Sequence, residues 1–325
     1  MKEEIKNALR DIEKAFIIYY GEDNIENKEK ITRVFSKLRI VGFSNNSNID
    51  ADNNEDELKV DFIVANDGTT EFSEKYLKKL HEILNSYNTY NTDFAYPYMT
   101  VPTIFIKNNA KKFSFSTLIH EISHALMIEL LGKVYNNKNN YLGMCILAST
   151  APEGLKNNFT NEIINERIAT DVFIIFENLR CNNSKFRFSD YIYVDEVLNF
   201  AGMTIYNMLK PYLKSHILYN ANIIGKIMGE DNYMRYHNLF RKVYKNMMSS
   251  SHKTKNDYQD YLESHVLEIY QWQLEAEKIV EDVKANIKEY SQYEENIRIM
   301  IIWLLKKGWL ESYKIKCFIT FFLFF

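Results

Sequence analysis

Ser116-Thr-Leu-Ile-His-Glu-Ile-Ser-His-Ala-Leu126 carries His120, Glu121 and His124 in the pattern H-E-x-x-H. Residues i and i+4 lie one above the other on an α-helix, so two imidazoles at this spacing can reach one ion from the same face. Glu121 falls at the edge of that face, near enough to touch a water on the ion without ligating the ion itself. Two neutral imidazoles and a carboxylate suit Zn²⁺ with a fourth position left for water, whose pKa then falls toward neutrality. Glu121 is the candidate general base. With 7 histidines among 325 residues, chance produces such a pentapeptide in roughly one chain in a hundred of this composition.

The surroundings read as a helix over about 116–131. Leu118, Ile119, Ile122, Ala125, Leu126, Ile128 and Leu130 supply its apolar positions, Ser114 or Ser116 offers an N-cap, and Gly132 offers a C-terminal stop. Just before it, Met99-Thr-Val-Pro-Thr-Ile-Phe-Ile106 reads as a strand, and Pro102 argues for an edge position. An edge there could hold an extended peptide by strand addition, or the proline could simply blunt the edge against aggregation.

Upstream, an amphipathic helix over about 3–20 is followed by a helical stretch over about 28–37, strands at 38–43 and 58–65, and a helix over 72–84. The two strands are expected to pair across the acidic loop 45–57, which lacks the glycine and terminal glutamate spacing of a calcium-binding EF-hand. Downstream, residues 141–147 suggest a short helix or strand. Asn161-Glu-Ile-Ile-Asn-Glu-Arg-Ile-Ala-Thr-Asp-Val-Phe-Ile-Ile-Phe176 is a helix with a wide apolar arc that carries Glu162 and Glu166. Carboxylates on a largely buried helix need a partner, and a metal ion is the candidate; the alternative is that both glutamates lie on a solvated stripe, since ionised glutamate is seldom fully buried. Helical patterns then dominate at 194–213, 223–229, 233–248 and 257–307.

These elements point to an α+β protein in which a small mixed sheet and the H-E-x-x-H helix, over 1–135, precede a mostly α-helical subdomain over 136–325. Hydrophobic residues make up 46% of the chain, enough for a sizeable core, and the net charge of −3 gives no electrostatic reason to expect nucleic acid. Cys145, Cys181 and Cys317 are odd in number and far apart, so no disulfide framework or C-x-x-C site is available. The N-terminus lacks the apolar region of a secretory signal, which favours the cytoplasm while leaving specialised export open. No transmembrane segment is expected; the apolar tail Cys317-Phe-Ile-Thr-Phe-Phe-Leu-Phe-Phe325 is too short to span a bilayer and is expected to pack on the protein or on a partner.

With these residues in place, the chain over about 99–176 resembles the zincin superfamily of metallopeptidases, and within it the gluzincin branch, in which a glutamate on a downstream helix completes H-E-x-x-H. The metzincin extension is absent, since Met127 and Leu130 stand where it needs glycine and histidine. The resemblance implies His120 and His124 as zinc ligands, Glu121 as the base, and Glu166 or Glu162 as the third ligand. Glu166 is preferred because Ala169 and Thr170 share nearly its face. Alternatively Glu162 ligates and Glu166 orients a histidine from behind. The resemblance also implies an oxyanion donor from the C-terminal half, for which Tyr236, His237, Arg241 and Tyr244 are candidates; Arg241 and Tyr244 are similar to an Arg/Tyr pair of neurotoxin-like enzymes. A zinc-dependent metallopeptidase acting on a peptide or protein substrate is the implied function. A regulatory protein on a zincin scaffold and a delivered, toxin-like protease with one host target are the alternatives.

Overall fold

Alternation along the strands sets the layers of the first half. In the computed structural model, which describes residues 1–46, 57–86, 94–96, 101–107, 114–129, 140–142, 145–147, 159–186, 189–215, 221–249 and 255–306, that half contains α1 (Lys2–Tyr20), α2 (Ile25–Lys37), β1 (Arg39–Asn46), β2 (Glu57–Ala65), α3 (Glu74–Ser86), β3 (Phe94–Tyr96), β4 (Thr103–Lys107) and α4 (Phe115–Glu129). The strands form one mixed sheet in the order β2-β1-β4-β3. β1 runs antiparallel to β2 and parallel to β4, and β3 runs antiparallel to β4. Successive side chains point to opposite faces. Ile40, Ile104 and Ile106 therefore join the main core with α1, α2 and α4, whereas Val41, Phe43 and Phe105 pack against Leu80, Ile83 and Leu84 of α3.

The expected pairing of the first two strands across the acidic loop is present. The edge position expected from Pro102 is not. β4 is paired on both sides, with β1 over Thr103–Lys107 and with β3 over Thr103–Phe105. Pro102 immediately precedes β4, where the ladder needs no N–H from it, and its carbonyl accepts the backbone N–H of Arg39 at 2.9 Å. Among the described residues the sheet edges are β2 and β3.

The second half holds β5 (Asn140–Leu142) and β6 (Cys145–Leu147), which pair antiparallel, then α5 (Phe159–Leu179), α6 (Asp190–Val197), α7 (Ala201–Ser215), α8 (Ala221–Met228), α9 (Glu230–Ser249), α10 (Lys255–Ser264) and α11 (Val266–Lys306). The fold class is α+β, with a mixed sheet followed by a mostly helical part. α5 is its axis: Ile163, Ile164, Ile168, Ala169, Val172, Phe173 and Phe176 are buried, and the helix packs against α1, α4, α6, α7 and α9. One apolar cluster runs from Ile5 in α1 to Val283 in α11, drawing on residues from both sides of position 135. The tail 317–325, Gly132 and most of the acidic loop lie outside the described residues.

The helix expected over 194–213 is broken. Asn199 and Phe200 adopt positive φ, 58° and 57°, a conformation that non-glycine residues rarely take. The turn lets Asp195, fully buried, accept the backbone N–H groups of Gly202 at 2.6 Å and Met203 at 3.1 Å. A carboxylate at a helix N-terminus satisfies donors that otherwise have no partner. Arg167 of α5 completes the site with a 2.7 Å ion pair to Asp195. Glycine is required at 202 for space: a Cβ there would lie 2.5 Å from Tyr236 Oη, 2.6 Å from Ile163 Cγ2 and 2.8 Å from Asp195 Oδ1. Gly202→Ala should lower stability by about 1–3 kcal/mol, read as a lower urea midpoint with an unchanged slope; a midpoint equal to that of the parent would show that these helices are not locked together here.

Candidate metal centre

α4 is started by Ser114, whose Oγ accepts the Ser116 N–H at 3.2 Å and whose carbonyl accepts the Leu118 N–H at 3.2 Å. Leu118, Ile119, Ile122, Ala125 and Leu126 are buried, which fixes the helix's rotation. His120 and His124 then share one face, with each side chain 12% exposed. α5 is tied to this turn by Asn165, fully buried, whose Nδ2 donates to the His120 carbonyl at 3.1 Å.

Three donor atoms converge. His120 Nε2 and His124 Nε2 are 3.1 Å apart, and Glu162 Oε2 lies 3.3 Å from His124 Nε2 and 3.4 Å from His120 Nε2. Ligands about 2.0–2.1 Å from a tetrahedral centre are separated by about 3.3–3.4 Å. All three edges of this triangle are close to that length, so His120, His124 and Glu162 form a group that could hold a metal ion.

Glu166, the preferred third ligand in the sequence, lies elsewhere. Its Oε2 is 2.5 Å from His120 Nδ1, a close ion-pair contact and not an aligned hydrogen bond. Its Oε1 accepts the Ser189 N–H at 3.0 Å. Of the two glutamates, Glu162 is the one grouped with both Nε2 atoms. Glu162 and Glu166 are one turn apart on the same face of α5, and the two nitrogens of His120 point in opposite directions between them. Glu162 meets the Nε2 side and Glu166 the Nδ1 side. Thr170 does not reach back toward the histidines; its hydroxyl donates to the carbonyl of Glu166 within its own helix at 2.7 Å. Asp171 is taken by Tyr206, at 2.7 Å, and Lys210.

The electrostatics follow from this bracketing. Burial pushes the His120 pKa down, but Glu162 and Glu166 overcome it and raise it well above the usual imidazole value. Burial pushes Glu162 and Glu166 up, and the histidines reverse this, holding both carboxyls below their ordinary value. In the absence of an ion these directions favour a protonated His120 beside ionised carboxylates. A metal ion binds the neutral imidazole, so its binding at Nε2 competes with a proton there.

Glu121 is 9% exposed, and its charge acts on both His120 and Tyr191. Tyr191 of α6 is the residue that sequence reasoning missed. Its ring stacks on Tyr244 of α9 with centroids 5.5 Å apart and planes at 24°. Burial first, and Glu162 among the neighbouring charges, raise the pKa of both phenols, so both stay protonated donors. No periodicity or motif marks Tyr191. The only local signal is its place in the first turn of a helix opened by Ser189 and Asp190.

The other expected donors are placed less directly. His237 and Arg241 share a face of α9 with Tyr244 and lie two turns and one turn before it, so His237 is about 10 Å back along the axis. Burial and the Arg241 charge lower the His237 pKa. Tyr236 is buried and donates to Asp195 at 3.5 Å, which makes it part of the Asp195 network. Among the described residues no helix is long and apolar enough to cross a membrane.

In metal-free protein, the contacts of His120 with Glu162 and Glu166 should give a pH-dependent stability. His120 is raised above 6.5, so its contribution is full below 6.5 and lost as pH rises through the folded value. Glu166 is lowered below 4.5, so its contribution is full above 4.5 and lost as pH falls through the folded value. In a chelator, the Tm difference between the parent and Glu166→Gln should be largest between 4.5 and 6.5 and shrink on both sides; a difference independent of pH would contradict the ion-pair description.

Compared with protein-family models, curated proteins and solved structures, the chain matches none.

Proposed function

We propose that this chain is a zinc-dependent metallopeptidase whose ion is held by His120, His124 and Glu162. The observation that carries the reading is the donor triangle of 3.1, 3.3 and 3.4 Å on the H-E-x-x-H helix and α5. Two imidazoles and one carboxylate are a donor set suited to zinc, and three protein ligands leave a position open for chemistry. Glu166, seated against Nδ1, orients His120 and strengthens it as a donor.

When bound there, zinc supplies Lewis acidity toward a water and toward a peptide carbonyl. The chain's own residues do the rest. Glu121 takes a proton from the attacking water and returns it to the amine nitrogen as the C–N bond breaks, so the reaction is balanced by water alone. Tyr191 and Tyr244, kept protonated by burial and by Glu162, donate hydrogen bonds to the carbonyl oxygen as negative charge develops on it. β4 is paired on both sides, so an extended peptide is held by the wall around the centre or by an edge other than β4.

Metal analysis of protein purified without chelator should find about one zinc per chain. Glu121→Gln should keep the zinc and the fold while hydrolysis of a broad peptide library falls by about 10²–10⁴-fold. A protein without stoichiometric zinc, or a Glu121→Gln variant as active as the parent, would overturn the proposal.

A further inference from the structure

Glu166 has two ends in use. One carboxylate oxygen is 2.5 Å from His120 Nδ1, and the other accepts the backbone N–H of Ser189 at 3.0 Å. The side chain is 3% exposed, so solvent offers little alternative to either partner. Ser189 is the N-cap of α6, and Tyr191, two residues on, stacks on Tyr244 of α9 and feels the charges of Glu162 and Glu121. A ring held at Nε2 by an ion cannot turn away from Glu166, and a fixed Glu166 fixes the start of α6.

We infer that Glu166 is a positioning residue that couples occupancy of the metal centre to the docking of α6, so that binding the ion also sets Tyr191 in place; the inference rests on the zinc reading above. The side chain is a rigid link in this sense: the metal ligand, the carboxylate and the helix start form one chain of short contacts with no exposed member between His120 and the Ser189 backbone. The far end of α6 is anchored independently, because Asp195 is held by Arg167, Gly202 and Met203. The first turn, which carries Tyr191, is the part of α6 next to the Glu166 contact at Ser189. Such coupling is reciprocal: what the ion does for α6, a docked α6 does for the ion.

The test is hydrogen exchange of the α6 amides with and without zinc, together with zinc affinity by chelator competition. In the parent protein zinc should slow exchange over the first turn of α6, residues 190–193, while α3, packed in the separate cluster of Val41, Phe43 and Phe105, should not respond. Ser189→Pro removes the N–H that Glu166 accepts without altering a ligand or a charge, and the Ser189 φ of −78° suits proline. It should lose the zinc-dependent protection of α6 and bind zinc about 5-fold or more weakly, as reciprocity requires. Glu166→Gln should weaken zinc by about 10–100-fold and, at saturating zinc, also lose the protection. Equal α6 protection in the parent with and without zinc overturns the coupling and leaves the metal site standing, and this comparison decides even where a variant fails to fold. Full protection and parental affinity in Ser189→Pro overturn it as well. A parent protein that binds no zinc overturns both this inference and the peptidase reading.

Discussion

The imidazole of His120, bracketed between Glu162 and Glu166 on one face of α5, is the contact on which the site depends. Each ring nitrogen meets a different carboxylate, at 3.4 Å on the Nε2 side and 2.5 Å on the Nδ1 side. Gathering these charges between two packed helices costs solvation, and apolar residues of similar size commonly serve stability as well. The cluster is therefore weak as an explanation of the fold and strong as an explanation of a site. What it does for structure is register: with Asn165 on the His120 carbonyl, it allows one rotation and one height of α5 against α4.

A second polar node performs the same task for the helical half. Asp195 gathers Arg167 from α5, two N–H groups from the start of α7 and the Tyr236 hydroxyl from α9. It needs the turn at Asn199 and Phe200, whose positive φ comes readily to the asparagine and is strained for the phenylalanine. The strain is offset by satisfied donors at the α7 N-terminus and by close packing over Gly202. Through this node the helices that carry Tyr191 and Tyr244 are built on the same α5 that carries Glu162. The tyrosine pair and the candidate ligands thus share one scaffold.

Much of this was legible in the sequence, for physical reasons that also mark where it stopped. Helical spacing placed His120 and His124 on one face, and the apolar arc of their neighbour helix pointed to a partner for Glu162 and Glu166; Glu166 is indeed 3% exposed, while Glu162 keeps 26%. Periodicity puts both glutamates on that face but does not say which ring nitrogen each meets, because this depends on the height of α5 against α4. Pro102 suggested an edge strand by a local rule, while the actual neighbours of β4 are set by pairing with β1 and β3, segments distant or weakly marked in the chain. The break at Leu198 to Phe200 was hidden because the residues on either side continue a helical pattern, and what interrupts it is a buried carboxylate bound to a distant arginine. Tyr191 had no signal beyond a helix start, since its relevance arises from stacking on Tyr244, more than fifty residues away.

The central claim is that one ion sits inside the triangle of His120, His124 and Glu162. Anomalous scattering at the zinc edge from crystals of the zinc-loaded protein locates that ion directly. The expected result is a single peak about 2.0–2.2 Å from both Nε2 atoms and from a Glu162 carboxylate oxygen, with Glu166 still against His120 Nδ1. A peak ligated by Glu166 in place of Glu162, or no peak at the two histidines, would contradict it.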